Sequence, residues 1–195
     1  MSEPRRKIHG GLLMAAGLFG VSLSVLILGA SRGQSKNAGL PDSPAAEFAL
    51  RDTAGVAHRL SDWRDKPVVL IVAPKQAADF AKSAGEVNQI RDTFARDDSI
   101  QIVGVQVTND SGLFAGADNL PGVLETKCPG MMVLQDTGAN ISASYRTPDA
   151  PTAFVIDGKG VIRARVALDH EGAAVTIAGT VSSLRPVQPR LDNLR

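Results

Sequence analysis

Cysteine is nearly absent from this chain: 195 residues contain one, Cys128. A single sulfur cannot close an internal disulfide, so no disulfide framework supports the fold, and no self-contained dithiol cycle is possible. Histidine is scarce too. His9, His58 and His170 are scattered, with no Cys or Asp/Glu cluster at ligand spacing, so no metal site is expected. Charge of one sign is also missing. The formal net charge is +1, and Arg5, Arg6 and Lys7 against Glu3 account for more than that excess within the first thirty residues. The remainder is slightly acidic, without the basic stripe that neutralises phosphates, which excludes nucleic acid as a partner. No phosphate loop is present either. Gly158-Lys159-Gly160 lacks the Gly-x-x-x-x-Gly-Lys-Ser/Thr spacing and the following helix, and reads as a hairpin turn. No cofactor is expected. Internal repeats and low-complexity tracts are absent.

What is present begins with an apolar run. Residues 11–30 (GLLMAAGLFGVSLSVLILGA) hold no charge. As a helix they would span about 30 Å, the thickness of a bilayer core. The basic flank Arg5-Arg6-Lys7 would stay cytoplasmic and place the rest of the chain on the far side of the membrane. The run reads as an uncleaved anchor. A cleaved signal peptide is the competing reading, but its apolar region is usually about 7 to 15 residues. The expected organisation is a basic cytoplasmic tail (1–10), a transmembrane anchor or signal sequence (11–30), a polar Gly- and Pro-containing tether (31–43), one domain (44–184) and a polar tail (185–195).

Within the domain, Phe48-Ala49-Leu50 and Ala57-His58-Arg59-Leu60 flank the turn chemistry of Asp52-Thr53-Ala54-Gly55 and predict a small hairpin. Ser61 or Asp62 is placed to cap a short helical turn. Val68 to Ala73 is a continuous β-branched run, read as a strand buried on both faces. A helix is expected from near Lys75 to near Asp97, with Phe80, Ala84, Val87, Ile90 and Phe94 at helical spacing. Ile100 to Val107 is a second strand, completing a βαβ unit with parallel strands. Residues 109–127 carry a weak pattern that Pro121-Gly122 breaks, and Met131 to Leu134 is a short strand. Thr152 to Ile156 and Val161 to Val166 predict an antiparallel hairpin. A last helix runs through Ala173, Ile177, Val181 and Leu184.

The order of these elements and four local motifs resemble the thioredoxin-like superfamily, and within it the redoxin branch: the alkyl hydroperoxide reductase/thiol-specific antioxidant group and the membrane-tethered thioredoxin-like reductases. Phe48 to Gly55 followed by Leu60-Ser61-Asp62-Trp63 is similar to the opening hairpin. Lys66-Pro67-Val68-Val69-Leu70 resembles the strand that leads to the active site. Val133 to Gly138 resembles the segment before the third central strand, and Ala150 to Ile162 is similar to the cis-proline strand with its hairpin. The fold implied is α/β, a thioredoxin-like three-layer sandwich with a central mixed β-sheet, preceded by one N-terminal transmembrane helix.

The resemblance also says where the chemistry should be. A Cys-x-x-Cys pair would fall on Gln76 and Asp79, and neither is a thiol. An amide cannot become the thiolate that a helix start stabilises, and a carboxylate cannot form a disulfide. A peroxidase motif, Pro-x-x-x-Thr-x-x-Cys, started at Pro74 would fall on Ala78 and Ala81. The sulfur chemistry of the usual site is therefore vacated. Two expectations about function follow. In the first, a membrane-anchored extracytoplasmic domain without autonomous thiol-disulfide activity acts as a binding or accessory module of the cell envelope. It would hold an envelope protein or an extended peptide through Pro74, Lys75, Gln76, Ala150 and Pro151, with Pro151 in the cis geometry beside an open strand edge. In the second, a degenerate oxidoreductase or peroxiredoxin-like protein works through Cys128 and a partner's thiol. Against it, Cys128 also reads as a buried, inert hydrophobe. Asp79 serves the helix dipole, Trp63 packs behind the 68–73 strand, and His170 is exposed or caps the final helix.

Overall fold

A computed structural model describes residues 39–73, 77–108, 122–147 and 150–185, all within the compact unit Gly33–Arg195. The apolar run 11–30, its basic flank, the tether up to residue 38 and the tail from residue 186 lie outside the described residues. Among the described residues no helix is long and apolar enough to cross a membrane.

Among the described residues, seven strands form one mixed sheet. In chain order they are β1 (Ala49–Asp52), β2 (Ala57–Arg59), β3 (Val68–Ala73), β4 (Gln101–Val107), β5 (Met132–Asp136), β6 (Thr152–Ile156) and β7 (Ile162–Ala167), arranged β2-β1-β5-β4-β3-β6-β7. The centre β5-β4-β3 is parallel, and the flanking pairs β1/β5, β3/β6 and β6/β7 are antiparallel. The helices are α1 (Ala77–Phe94), α2 (Val123–Lys127), α3 (Asn140–Tyr145) and α4 (Ala173–Leu184), with a 3-10 turn at Leu60–Trp63. The predicted βαβ unit is β3-α1-β4, and the predicted hairpin is β6-β7.

Strand periodicity explains the layers. Successive side chains point to opposite faces of a sheet. Val69, Ile71 and Ala73 accordingly join the core under α1, α2 and α4, while Val68, Leu70 and Val72 join the core under α3, Phe48 and the 3-10 turn. All six are buried, which is why this stretch reads as an unbroken apolar run. The expected stripe of α1 is also found: Phe80, Val87, Ile90 and Phe94 pack into the first core. Trp63 packs against the second, with its ring 6.3 Å from that of Phe48.

Polar groups hold the ends together. Asp62 accepts the Arg59 N–H at 2.7 Å and opens the 3-10 turn. Glu86 on α1 caps α4 from outside, its two oxygens accepting the N–H groups of Gly172 (3.2 Å) and Ala174 (2.7 Å). A carboxylate there satisfies orphan donors and meets the positive end of the helix dipole. Glu86→Ala is expected to cost about 1–2 kcal/mol and to lower the chemical-denaturation midpoint. Glu86→Gln, which keeps an acceptor, should lose less.

Candidate functional site

The carboxyl end of β3 and the start of β6 meet by register. Val72 is the Cα partner of Thr152, so Ala73, the last residue of β3, stands at the level of Pro151. The carboxyl end of β3, at Ala73, and residues 150–151 therefore lie at one end of the sheet. Pro74, Lys75 and Gln76 lie outside the described residues. For Asp79 only its backbone place, in the first turn of α1, is described.

Pro151 departs from expectation in two ways. Its peptide bond is trans, since no cis peptide bond occurs among the described residues. For an X–Pro bond the trans form is intrinsically favoured by about 0.5–1 kcal/mol. The edge beside it is also closed. β6 has β3 on one side and β7 on the other, Pro151 is buried, and its carbonyl accepts the Leu168 N–H at 2.9 Å. The half-buried residue at the rim is Ala150, whose carbonyl accepts the Thr152 hydroxyl at 3.0 Å.

Cys128 is far from this end. It ends α2, where its N–H bonds to the Leu124 carbonyl at 2.8 Å. Asn88 and Arg91 of α1 reach the carbonyls of its two neighbours, Lys127 at 3.0 Å and Pro129 at 2.8 Å. Arg91 lies about 20 Å along the helix axis from Ala77 at 1.5 Å per residue. Cys128 is 0% exposed and belongs to the core between α1 and the sheet. Burial pushes its thiol up from the ordinary value, and the nearby Arg91 charge offsets this only in part. A reactive cysteine needs a stabilised thiolate and access, and Cys128 has neither. Both features weigh against the second sequence expectation, thiol chemistry through Cys128.

Other polar groups near the carboxyl ends of the strands are occupied by structure. Asp136, buried at the end of β5, accepts the N–H groups of Asn140 (3.1 Å) and Ile141 (2.7 Å) and so starts α3. Gln106 accepts the Leu124 N–H at 3.3 Å at the start of α2. Tyr145, buried under the other face, donates to the Ala46 carbonyl at 2.7 Å, and burial pushes its phenol far up. His170 is exposed and lies against Asp169. Among the described residues no group of His, Cys, Asp or Glu is arranged to hold a metal ion.

Residues 41–165 match the AhpC/TSA family, a span that covers the opening segment, the whole βαβ unit and most of the β6-β7 hairpin. The chain belongs to the AhpC/TSA family. No curated protein matches it in sequence. Solved structures share the AhpC/TSA chain's fold. One is a putative thiol:disulfide interchange protein DsbE from Chlorobium tepidum, 19% identical, with a TM-score of 0.58 over 74% of this chain and 96% of that one. Another is the peroxidoxin BcpB from Mycobacterium tuberculosis, 21% identical, TM-score 0.56, over 75% and 98%. A third is a secreted Mycobacterium tuberculosis disulfide oxidoreductase homologous to E. coli DsbE, 18% identical, TM-score 0.51, over 70% and 96%. At these identities the likeness establishes the thioredoxin-like fold. Chemistry has to be argued from this family member's own residues, and they supply no accessible thiol at the site.

Proposed function

We propose that this AhpC/TSA-family domain is an envelope-side binding or accessory module, held at the membrane by residues 11–30 and performing no thiol-disulfide exchange of its own. The observation that carries the reading is the position of Cys128: the only sulfur able to form a disulfide is buried in the core, beside the stretch of α1 from Asn88 to Arg91, about three to four turns from the helix start where the chemistry would take place. The anchor and the extracytoplasmic side rest on the uncharged run behind Arg5-Arg6-Lys7. They agree with the secreted character of one structural neighbour. The partner is an envelope protein or an extended peptide, met by residues 74–79 and the adjoining rim at Ala150. Because β6 is flanked on both sides, this contact is made mainly by loop side chains and not by adding a strand along β6.

The test is a photo-crosslinking amino acid placed at position 76 or, as a control, at Ser99 near the opposite end of the sheet, in the full chain in its native membrane. The expected outcome is a discrete adduct from position 76, absent from position 99 and lost when Lys75→Glu is added. Equal labelling from both positions would contradict the assignment.

A further inference from the structure

A second concavity lies at the other end of the sheet. Val68 and Ile156, Cα partners at the start of β3 and the end of β6, form its floor together with Leu60. Its volume is about 160 Å³, room for a molecule of about five to ten non-hydrogen atoms. The walls are well fixed. Asp157 holds the β6-β7 turn by accepting the N–H groups of Lys159 and Val161, both at 2.9 Å, and the Arg163 Nε–H at 2.8 Å. Burial raises the Asp157 carboxyl, but the Val161 N–H, Arg163 and the Lys159 N–H outweigh it and hold the group below its ordinary 3.8. Asp65 donates its N–H to the Gly158 carbonyl at 3.0 Å, and a Cβ on Gly158 would stand 2.9 Å from the Asp65 backbone. The 3-10 turn and the hairpin turn are thereby packed backbone to backbone.

Three charged side chains at this cavity, Glu47, Arg64 and Lys159, lack an ion-pair partner among the described residues. Glu47 accepts the Ser61 N–H at 2.9 Å through Oε1, while among the described residues its Oε2 has no hydrogen-bond partner. Among the described residues no cation pairs with Glu47, and no anion pairs with Arg64 or Lys159, which stand at the same cavity. The Trp63 indole forms part of the wall, with the His58 ring stacked on it at 6.1 Å between centroids, and among the described residues the indole N–H has no acceptor. A half-buried carboxylate beside an indole suits a primary ammonium, through an ion pair and a cation–π contact. Two cations at the mouth suit a carboxylate. We infer that this cavity binds a small zwitterion of the α-amino acid type, its ammonium on Glu47 and Trp63 and its carboxylate on Arg64 and Lys159. This site is separate from residues 74–79 and does not depend on the function proposed for them.

Trp63 is the only tryptophan in the chain, so its fluorescence reports on this cavity alone. The full chain, in detergent, is titrated with glycine and with L-alanine, and in separate arms with acetate and with methylammonium. A saturable change with the amino acids is expected, with a Kd between micromolar and millimolar and acetate and methylammonium each about tenfold weaker or more. Glu47→Gln keeps an oxygen for the Ser61 N–H and should weaken amino-acid binding about tenfold. The Arg64→Ala/Lys159→Ala variant changes two exposed side chains and should do the same. The absence of a saturable change up to about 10 mM amino acid overturns the assignment. So does acetate binding as well as glycine, which would make the cavity a simple anion site, or methylammonium doing so, which would make it an amine site. Unchanged affinity in both variants overturns it as well.

Discussion

The Gln76→Cys/Asp79→Cys double variant is expected to reduce insulin disulfides well above the level of the unmodified chain. The argument is one of position. β3 is buried on both faces, α1 begins at Ala77, and the register Val72↔Thr152 fixes the β6 rim beside that start. A thiol at a helix start has its thiolate stabilised by the dipole. Lowering a thiol from about 8.5 to about 7 raises its thiolate fraction at neutral pH from a few per cent to about half. The double variant should therefore exceed an equal concentration of free cysteine about tenfold or more. Either single variant should form mixed disulfides without turning over, since a catalytic cycle needs a resolving thiol. A double variant that folds but stays at background would mean that this end of the sheet no longer presents the geometry of its family.

The second large effect is on stability. Phe154 in β6 is 0% exposed, edge-on to Tyr145 with ring centroids 5.0 Å apart and planes at 67°. The Arg165 guanidinium lies 5.8 Å from the centre of the Phe154 ring. Phe154→Ala removes buried area, an aromatic pair and a cation–π contact, and leaves a cavity between the sheet and α3. The cost should be about 3–5 kcal/mol, set against a total of about 5–15 kcal/mol for an ordinary domain. The urea midpoint should fall steeply with little change in slope. Phe154→Leu, which fills most of the volume, should recover more than half of the loss. A fall smaller than about 1 kcal/mol would show that the second core is less tightly packed than described.

Elements built from strong periodicity were readable from residues alone. The all-apolar run 68–73, the stripe through Phe80, Val87, Ile90 and Phe94, and the Asp157-Gly158 turn each carried their own signal. α2 and α3 were missed because their signals are not local. Each has six residues or fewer, and the groups that start them come from strand ends, Gln106 of β4 and Asp136 of β5. Asp136, four residues ahead of Asn140, was the one hint available. The cap of α4 was hidden for the same reason, because Glu86 lies 86 residues from Gly172. At the candidate site the sequence showed what was gone, the two thiols, but not that Pro151 would be trans and enclosed. A proline before a strand has the same letters in either isomer. The cavity at Glu47 could not have been foreseen either, because Glu47, Arg64 and Lys159 come together only when the 3-10 turn packs on the β6-β7 turn.

The function proposed for this domain turns on whether Cys128 is chemically available. The direct measurement is the reaction of the folded chain with Ellman's reagent at neutral pH, repeated in denaturant. One thiol per chain should react in denaturant and essentially none in the native protein over the same interval, because the sulfur is enclosed by the core and its thiolate is disfavoured. Rapid stoichiometric reaction of the native protein would contradict the account and return the chain to the thiol oxidoreductases it resembles.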